Sequence, residues 1–405
     1  MRALITGGAG FIGSHLADAL LAAGHSVIAI DNLSTGSRGN VEHLLEQPHF
    51  QLVVDTVLNE ARISPLVSQA DVIFHLAAAV GVKWIIDHPL LSIRTNVRAT
   101  EVVLDHASRD KTKVLLASTS EVYGKNNAGP LREDSDSIIG PTAVTRWLYA
   151  NTKATDEFLA YAYHRERALP VVIARFFNTV GPRQTGRYGM VVPRFVRQAL
   201  RNEPITLYGD GCQSRCFTAV GDAVRALIRL SETPGAVGEV FNIGSEQEIT
   251  ILDLARKILA LTGSASPLQF IPYEQAYDRG FEDMRRRVPD VSKLRETIGY
   301  APHTSLEENL QRIIQHMRAA DPALRAHPPP AGTRLVKTEH ASYTTEPVPP
   351  GTRLRVSGEH PPRGWIDDRI FPTPAVPAPG ATQAEASADS PAAPASGYPP
   401  PVPGD

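Results

Sequence analysis

Tyr149 and Lys153 stand four residues apart in a segment, Tyr149 to Glu166, whose pattern predicts a helix. Side chains at positions i and i+4 of a helix lie on one face. A phenol, with an ordinary pKa of about 10, is a poor base at neutral pH. An ammonium group one turn away stabilises the phenolate and lowers that pKa. We therefore predict that Tyr149 is a catalytic base and that Lys153 activates it.

Thr119, Ser120 and Glu121 follow an apolar run, Lys113 to Ser118, that predicts a buried strand. Hydroxyl groups at a strand end can bond a substrate hydroxyl and the phenolate of Tyr149. Glu121 adds a carboxylate that can act as a general acid or a general base. These three residues complete the predicted catalytic set.

Gly7, Gly10 and Gly13 recur at a three-residue spacing between a predicted strand, Arg2 to Thr6, and a predicted helix, Ser14 to Ala23. Gly7 can adopt backbone angles that are closed to other residues. Gly10 lets the main chain approach a pyrophosphate, and Gly13 lets helix and strand pack closely. The helix N-terminus then offers N–H groups to the phosphates. This arrangement predicts a dinucleotide-binding site.

Asp31 ends the next apolar run, Ser26 to Ile30. A carboxylate at this place accepts hydrogen bonds from the adenosine ribose and repels a 2′-phosphate. The predicted cofactor is therefore NAD rather than NADP. Lys153 is expected to hold the nicotinamide ribose as well, with Tyr149 beside it.

Apolar strands alternate with helical patterns as far as about residue 182, which predicts an α/β fold of the Rossmann type with a doubly wound parallel sheet. Helical patterns include Leu91 to Ala107. Ligands of such sheets bind beyond the carboxyl ends of the strands. The further residues expected to contact the cofactor are therefore those at these ends: Phe11, Ile12, Asn32, Ser34, Gly36, Asp55, Thr56, Leu76, Ala77 and Ala78.

Three regions are predicted along the chain. Residues 1–182 form mainly the NAD-binding domain, and residues 183–320 form mainly a smaller substrate-binding lobe. The two are interleaved, because Glu239 to Ile243 resembles a returning strand of the main sheet. Residues 321–405 are rich in Pro and Ala and contain too few apolar side chains to form a core, so a disordered tail is predicted. The sequence does not identify what the tail binds.

The composition argues against several classes of protein. A formal net charge of −2 on 405 residues gives no basic surface for nucleic acid. No apolar run is long enough to span a membrane, and we expect no leader before the first strand. Cys212 and Cys216 lie in a glycine-rich segment that predicts a loop. We interpret them as reduced thiols of a cytoplasmic protein, and we predict no metal site.

These motifs together resemble the extended short-chain dehydrogenase/reductase family that modifies nucleotide sugars. The resemblance covers residues 1 to about 318 and adds Asn96 to the expected cofactor contacts. It also implies a homodimer. The residues that carry it are, in chain order, Gly7 to Gly13, His75-Leu76-Ala77-Ala78, Asn96, Tyr149 with Lys153, Arg175 to Pro182, and Arg287-Val288-Pro289-Asp290.

Within this family, Ser118 to Gly124 and Gly209 to Phe217 are most similar to the UDP-glucuronate decarboxylases. That likeness implies conversion of UDP-glucuronate to UDP-xylose through a 4-keto sugar. It also implies that Glu121 and Arg215 handle the sugar carboxylate and that Arg287 binds the diphosphate. Asn178 is expected to orient the nucleotide sugar.

Other outcomes remain open from the sequence. A UDP-glucose or UDP-glucuronate 4-epimerase passes through the same kind of intermediate. A 4,6-dehydratase of dTDP-glucose has an aspartate where this chain has Ser120, which cannot protonate a leaving hydroxyl as an acid would. A third hypothesis is an NAD-binding scaffold whose tail performs the function.

Overall fold

The computed structural model describes residues 1–186, 190–276 and 284–325. The chain divides into two units, Met1–Leu335 and Val336–Asp405. The described residues all belong to the first unit. The predicted tail lies outside the described residues beyond residue 325.

A seven-stranded, all-parallel sheet forms the centre of this unit. Six of its strands are largely buried, as expected of a parallel sheet covered by helices, and the edge strand Phe50–Val54 is partly exposed. The strand order is β11-β6-β5-β4-β1-β2-β3. The strands are β1 (Arg2–Thr6), β2 (Ser26–Asp31), β3 (Phe50–Val54), β4 (Val72–His75), β5 (Lys113–Thr119), β6 (Val171–Phe176) and β11 (Val240–Ile243). The predicted Rossmann-type fold is confirmed.

Twelve helices are assigned within the described residues, and those around the sheet cover its two faces. They are α1 (Phe11–Ala22), α2 (Glu60–Val67), α3 (Val82–Asp87), α4 (Pro89–Ile93), α5 (Ala99–Asp110), α6 (Leu148–Arg167), α7 (Val191–Leu200), α8 (Val220–Glu232), α9 (Ile251–Thr262), α10 (Tyr273–Ala276), α11 (Ser292–Ile298) and α12 (Leu306–Ala320).

The later residues build a smaller lobe with a core of its own, formed chiefly by α7, α9 and α12. Thr250 caps α9 by accepting a hydrogen bond from the Asp253 amide. Three two-stranded pairs complete this part: β7 with β10, β9 with β12, and β8 with β13. Their bounds are β7 (Thr179–Val180), β8 (Ile205–Tyr208), β9 (Ser214–Cys216), β10 (Thr218–Ala219), β12 (Glu248–Thr250) and β13 (Leu268–Ile271).

The structure corrects two predictions about local structure and refines a third. The segment predicted as a helix, Leu91 to Ala107, is helical throughout, with a π-helical turn, Arg94–Arg98, between α4 and α5. Buried Asn96 in that turn accepts a hydrogen bond from the Ala79 amide. Cys216 ends a strand rather than lying in a loop, because β9 pairs with β12. The described core continues past residue 320, since Leu324 packs into the smaller lobe at 5% exposure.

Candidate active site

The glycine turn joins β1 to α1 and lies against the next strand. Gly7 has a φ of 70°, and its N–H donates to the Ile30 carbonyl at 2.8 Å. A Cβ on Gly13 would overlap the Gly7 carbonyl oxygen, so only glycine permits this close approach. No side chain caps the start of α1. Its first N–H groups are therefore free to meet an anionic ligand.

Asp31 holds the same turn in place. Its carboxylate accepts hydrogen bonds from the amides of Ala9 at 3.0 Å and Leu33 at 2.8 Å. Burial raises the pKa of Asp31, and these backbone hydrogen bonds act in the opposite direction. Gly36 is required beside it, since a Cβ there would lie 2.8 Å from Asp31 Oδ2. The carboxylate faces a large cavity.

That cavity, of about 470 Å³, extends from the glycine turn to Glu121 and the start of α6. It lies at the carboxyl ends of the parallel strands, where ligands of such sheets bind. The predicted site residues that line it are Gly7, Gly10, Phe11, Ile12, Gly13, Asp31, Asn32, Ser34, Asp55, Thr56, Leu76, Ala77, Ala78, Thr119, Ser120, Glu121, Tyr149, Lys153, Asn178 and Arg287.

Three predicted site residues do not line the cavity. Gly36 packs against the Asp31 carboxylate and leaves room for it. Asn96 accepts a hydrogen bond from the Ala79 amide at 2.7 Å, so it shapes the loop after β4. Arg215 is buried on β9, where its Nη1 donates to the Ser214 carbonyl at 2.7 Å. Its predicted contact with the sugar carboxylate stays a prediction.

Tyr149 and Lys153 face the cavity together from α6, one turn apart. Lys153 Nζ donates to Asp156 Oδ2 at 3.0 Å. Burial raises the pKa of Tyr149, and the charges of Glu121 and Asp156 raise it further. Burial is the largest cause of this raised pKa. The lowering expected from Lys153 together with a bound nicotinamide cation stays a prediction.

Glu121 is bound by two arginines. Arg146 Nη1 lies 2.6 Å from its Oε2, and Arg287 Nη1 contacts its Oε1. Burial would raise the pKa of Glu121, but the two guanidinium groups outweigh burial and hold it well below the usual range. Glu121 is therefore an anion at neutral pH, the form that acts as a general base rather than as a general acid. Arg287 contacts this carboxylate and lines the cavity, and its binding of a diphosphate stays a prediction.

The remaining polar residues fix the backbone around this cluster. Thr119 Oγ1 accepts from the Glu121 amide at 3.3 Å and caps the short 3₁₀ turn Ser120–Tyr123. Asn178 has a φ of 35° and donates to the Cys216 carbonyl at 2.9 Å. Its side chain thus ties the end of β6 to β9, beside the cavity.

Sequence reasoning missed the roles of Arg146 and Asp156. Arg146 lies three residues before Tyr149, a spacing that places both on one side of the start of α6. Asp156 lies three residues after Lys153, which is the matching signal for an ion pair. Both signals were present in the sequence, but neither shows that the side chains are buried.

The described residues contain neither a metal-binding cluster nor a membrane-spanning helix. No group of three or more His, Cys, Asp or Glu residues there could hold a metal ion. No helix there is long and apolar enough to cross a membrane.

The chain matches known proteins along most of this unit. A family model described as GDP-mannose 4,6 dehydratase matches residues 4–313. A UDP-N-acetyl-alpha-D-glucosaminuronate decarboxylase of Bacillus cytotoxicus is 44% identical over 318 residues, which are 78% of this chain and 98% of the relative. UDP-glucuronic acid decarboxylase 1 of Danio rerio is 38% identical over 315 residues, 78% of this chain and 72% of the relative.

A solved structure agrees with these relatives. It is UDP-glucuronic acid 4-epimerase from Bacillus cereus with UDP-glucuronic acid and NAD, 31% identical, with a TM-score of 0.72 over 79% of this chain and 100% of the other. The sheet, the glycine turn and the Tyr149–Lys153 pair define a Rossmann-type enzyme that acts on nucleotide sugars. The chain belongs to the GDP-mannose 4,6-dehydratase family, within the extended short-chain dehydrogenases/reductases.

Proposed function

We propose that this chain is an NAD-dependent decarboxylase of a UDP-linked uronic acid, with UDP-glucuronate as substrate and UDP-xylose as product. The observation that carries the proposal is the buried cluster of Glu121, Arg146 and Arg287 beside Tyr149. One carboxylate between two guanidinium groups leaves a net charge of about +1 in a nearly dry site. A second carboxylate, that of the sugar, completes this cluster, whereas a neutral sugar does not.

The residues that line the cavity fit NAD. The glycine turn admits a pyrophosphate, Asp31 reaches the adenosine end, and Lys153 lies near the nicotinamide end. Bound there, NAD supplies the hydride acceptor and donor at carbon 4 of the sugar, so no external redox partner is consumed.

Tyr149 removes the proton of the hydroxyl at carbon 4, and that carbon becomes a ketone because its hydride would pass to the bound cofactor. The carboxylate at carbon 6 is then β to a carbonyl group. When the bond between carbons 5 and 6 breaks, its electron pair enters an enolate and CO₂ leaves. Loss of CO₂ also removes one of the two anions near the arginines. A proton then returns to carbon 5. Tyr149 returns its proton to the oxygen at carbon 4, to which the same hydride would return.

The product formed from UDP-glucuronate and NAD tests this proposal. Mass spectrometry should show the loss of one CO₂ per sugar. A product of unchanged mass that differs from the substrate at carbon 4 would replace the proposal with a 4-epimerase, which uses the same early steps and has a solved relative in Bacillus cereus. The dehydratase alternative predicts the loss of water instead.

A second candidate substrate is UDP-N-acetylglucosaminuronate. The observation that favours it is the 44% identity to the Bacillus cytotoxicus decarboxylase, against 38% for the Danio rerio relative. Both sugars carry the carboxylate that the arginine cluster requires. Comparing kcat/KM for the two substrates under the same conditions decides between them.

A substitution of Glu121 by Gln tests the role of the cluster. It removes the anion that holds Arg146 and Arg287 while keeping the size of the side chain, so we expect the two guanidinium groups to shift and kcat for CO₂ release to fall by about 10²-fold or more. Hydride transfer from the sugar should persist, visible as NADH absorbance. Normal turnover by this variant would remove Glu121 from the mechanism.

We further propose that the protein is a cytoplasmic homodimer. Support comes from an exposed apolar surface on two neighbouring helices: Leu90 and Leu91 on α4, and Phe158 on α6 at 75% exposure. Light scattering should give the mass of two chains for the native protein and of one chain for Phe158→Glu. An unchanged mass in that variant would place the interface elsewhere.

The proposal of a cytoplasmic location has separate support. The free thiols of Cys212 and Cys216 are consistent with a reducing compartment.

A further inference from the structure

Lys153 forms a buried ion pair that the proposed reaction does not itself require. Its partner Asp156 lies three residues along α6, and their side chains are 2% and 0% exposed. Asp156 Oδ1 is buried without a well-formed hydrogen bond in the described chain. The Thr100 hydroxyl interacts with the Asp156 carboxylate and offsets part of the cost of burying it. A carboxylate that is buried with one ion pair and an incomplete set of hydrogen bonds destabilises a fold more often than it stabilises one. Packing alone therefore does not explain this residue.

Asp156 places a negative charge beside the Lys153 ammonium group, a cation that should help Tyr149 to ionise. An ammonium group favours a nearby phenolate, and a carboxylate next to that ammonium cancels much of the effect. The pKa of Tyr149 reflects this, since Asp156 adds to burial and to Glu121 in raising it. Burial raises the pKa of Asp156 itself, against the pull of the Lys153 charge.

The other titratable groups around this pair are compensated or neutral. Glu157, the next residue of α6, pairs with Arg175 on β6 at 2.7 Å. Burial and the charge of Lys153 lower the pKa of His75 on β4 to about 3, so this imidazole is neutral. Glu121 is held by its two arginines. Asp156 is thus the acid that acts on Lys153 directly.

We propose that Asp156 is a positioning residue that holds Lys153 at the cavity and sets the pH range in which Tyr149 can act as a base. The inference rests on the proposed function in one respect, that Tyr149 is the group that exchanges a proton. It does not depend on which sugar is bound or on what becomes of the 4-keto intermediate.

The test is the ionisation of Tyr149 in the NAD-loaded protein without any sugar. Tyrosinate absorbance is followed between about pH 6 and pH 11, and the signal of the matching Tyr149→Phe protein is subtracted. The variant Asp156→Asn keeps the shape of the side chain and removes its charge. In this variant, Tyr149 should begin to ionise at a pH that is lower by on the order of one unit. The acid limb of the kcat/KM profile should move the same way. Onset at the same or a higher pH overturns the proposal.

Glu157→Gln is the matched control, because it removes a neighbouring buried carboxylate that pairs with Arg175 instead of Lys153. The onset of Tyr149 ionisation should not move in this variant, and an equal shift would mean that any lost helix charge suffices. Asp156→Ser is measured beside Asp156→Asn. Failure of both variants to fold would assign Asp156 to the structural core and overturn the proposal. Because no sugar is present, loss of the decarboxylase activity would not affect this result.

Discussion

Glu121 is the residue whose charge state most constrains the chemistry of the site. Two guanidinium groups hold its pKa well below the usual range despite its burial. An ionised Glu121 cannot donate a proton to the sugar at neutral pH. The bond-breaking step must therefore draw its driving force from the ketone at carbon 4 and from the arginines, and the proton for carbon 5 must come from another group.

The same pKa shift predicts a pH dependence of stability. A folded-state pKa below the unfolded value of about 4.3 adds stability at higher pH, and that stability is lost as the pH falls through this range. Glu121→Gln lacks this contribution and leaves two buried arginines without their anion. Its unfolding free energy should be lower by about 3 kcal/mol at pH 7.

Urea unfolding of both proteins at several pH values checks this. The difference between native and variant should be largest above about pH 5 and shrink towards pH 3. A difference that stays constant over this range would mean that the Glu121 charge does not contribute to folding stability.

Residue roles were predictable where one local pattern decides them and not where distant segments meet. The turn at Gly7 to Gly13 and the Tyr149–Lys153 pair are local, and the structure places them on one cavity. The contact between Glu121 and Arg287 joins residues that are 166 positions apart. No periodicity reports such a contact, so Arg287 was predicted to bind a diphosphate and Arg215 was preferred for the carboxylate.

Among the helices, α1 is the one whose packing most requires a glycine, at Gly13. At Gly13 a methyl group would collide with the Gly7 backbone, which cannot yield without moving the whole turn. Gly13→Ala should therefore lower the unfolding free energy by about 1–3 kcal/mol and weaken NAD binding, as measured by denaturation and calorimetry.

Gly221→Ala is the matched control for this substitution. Gly221 also lies in the first turn of a helix, α8, but a Cβ there meets no atom within 4 Å. This variant should be neutral or more stable by up to about 1 kcal/mol, since alanine is the better helix former. Equal destabilisation by both substitutions would contradict the steric argument.

The segment Leu91 to Ala107 shows what a helical pattern predicts and what it does not. Its apolar spacing is helical, and the segment is helical throughout, as α4, a π turn and α5. In the π turn, Asn96 accepts a hydrogen bond from the Ala79 amide in the loop after β4. That contact joins residues 17 positions apart, so helical periodicity does not predict it.

For the whole molecule, the described core extends past the limit that composition suggested. Leu324 lies in the core of the smaller lobe, beyond the predicted limit of residue 320. A protein of residues 1–325 should match the full chain in melting temperature and in kcat/KM. One of residues 1–320 should be less stable by about 2 kcal/mol, the contribution of one buried leucine.

Leu324→Ala in the full chain separates the core contact from the truncation and should reproduce most of this loss. Thermal melts and product formation measure both effects. Loss of activity in residues 1–325 would revive the hypothesis that the tail performs the function.

The position of β11 has a consequence for how the protein is made. This strand pairs with β6 at the edge of the sheet, yet Ile243 follows Phe176 by 67 residues. At roughly 5–20 residues per second, a ribosome needs on the order of ten seconds to add that stretch. During this time the nascent chain presents an unpaired edge at β6, the kind of surface that recruits other strands. Aggregation on overproduction should therefore fall when translation through residues 177–243 is hastened or when a chaperone covers β6 meanwhile.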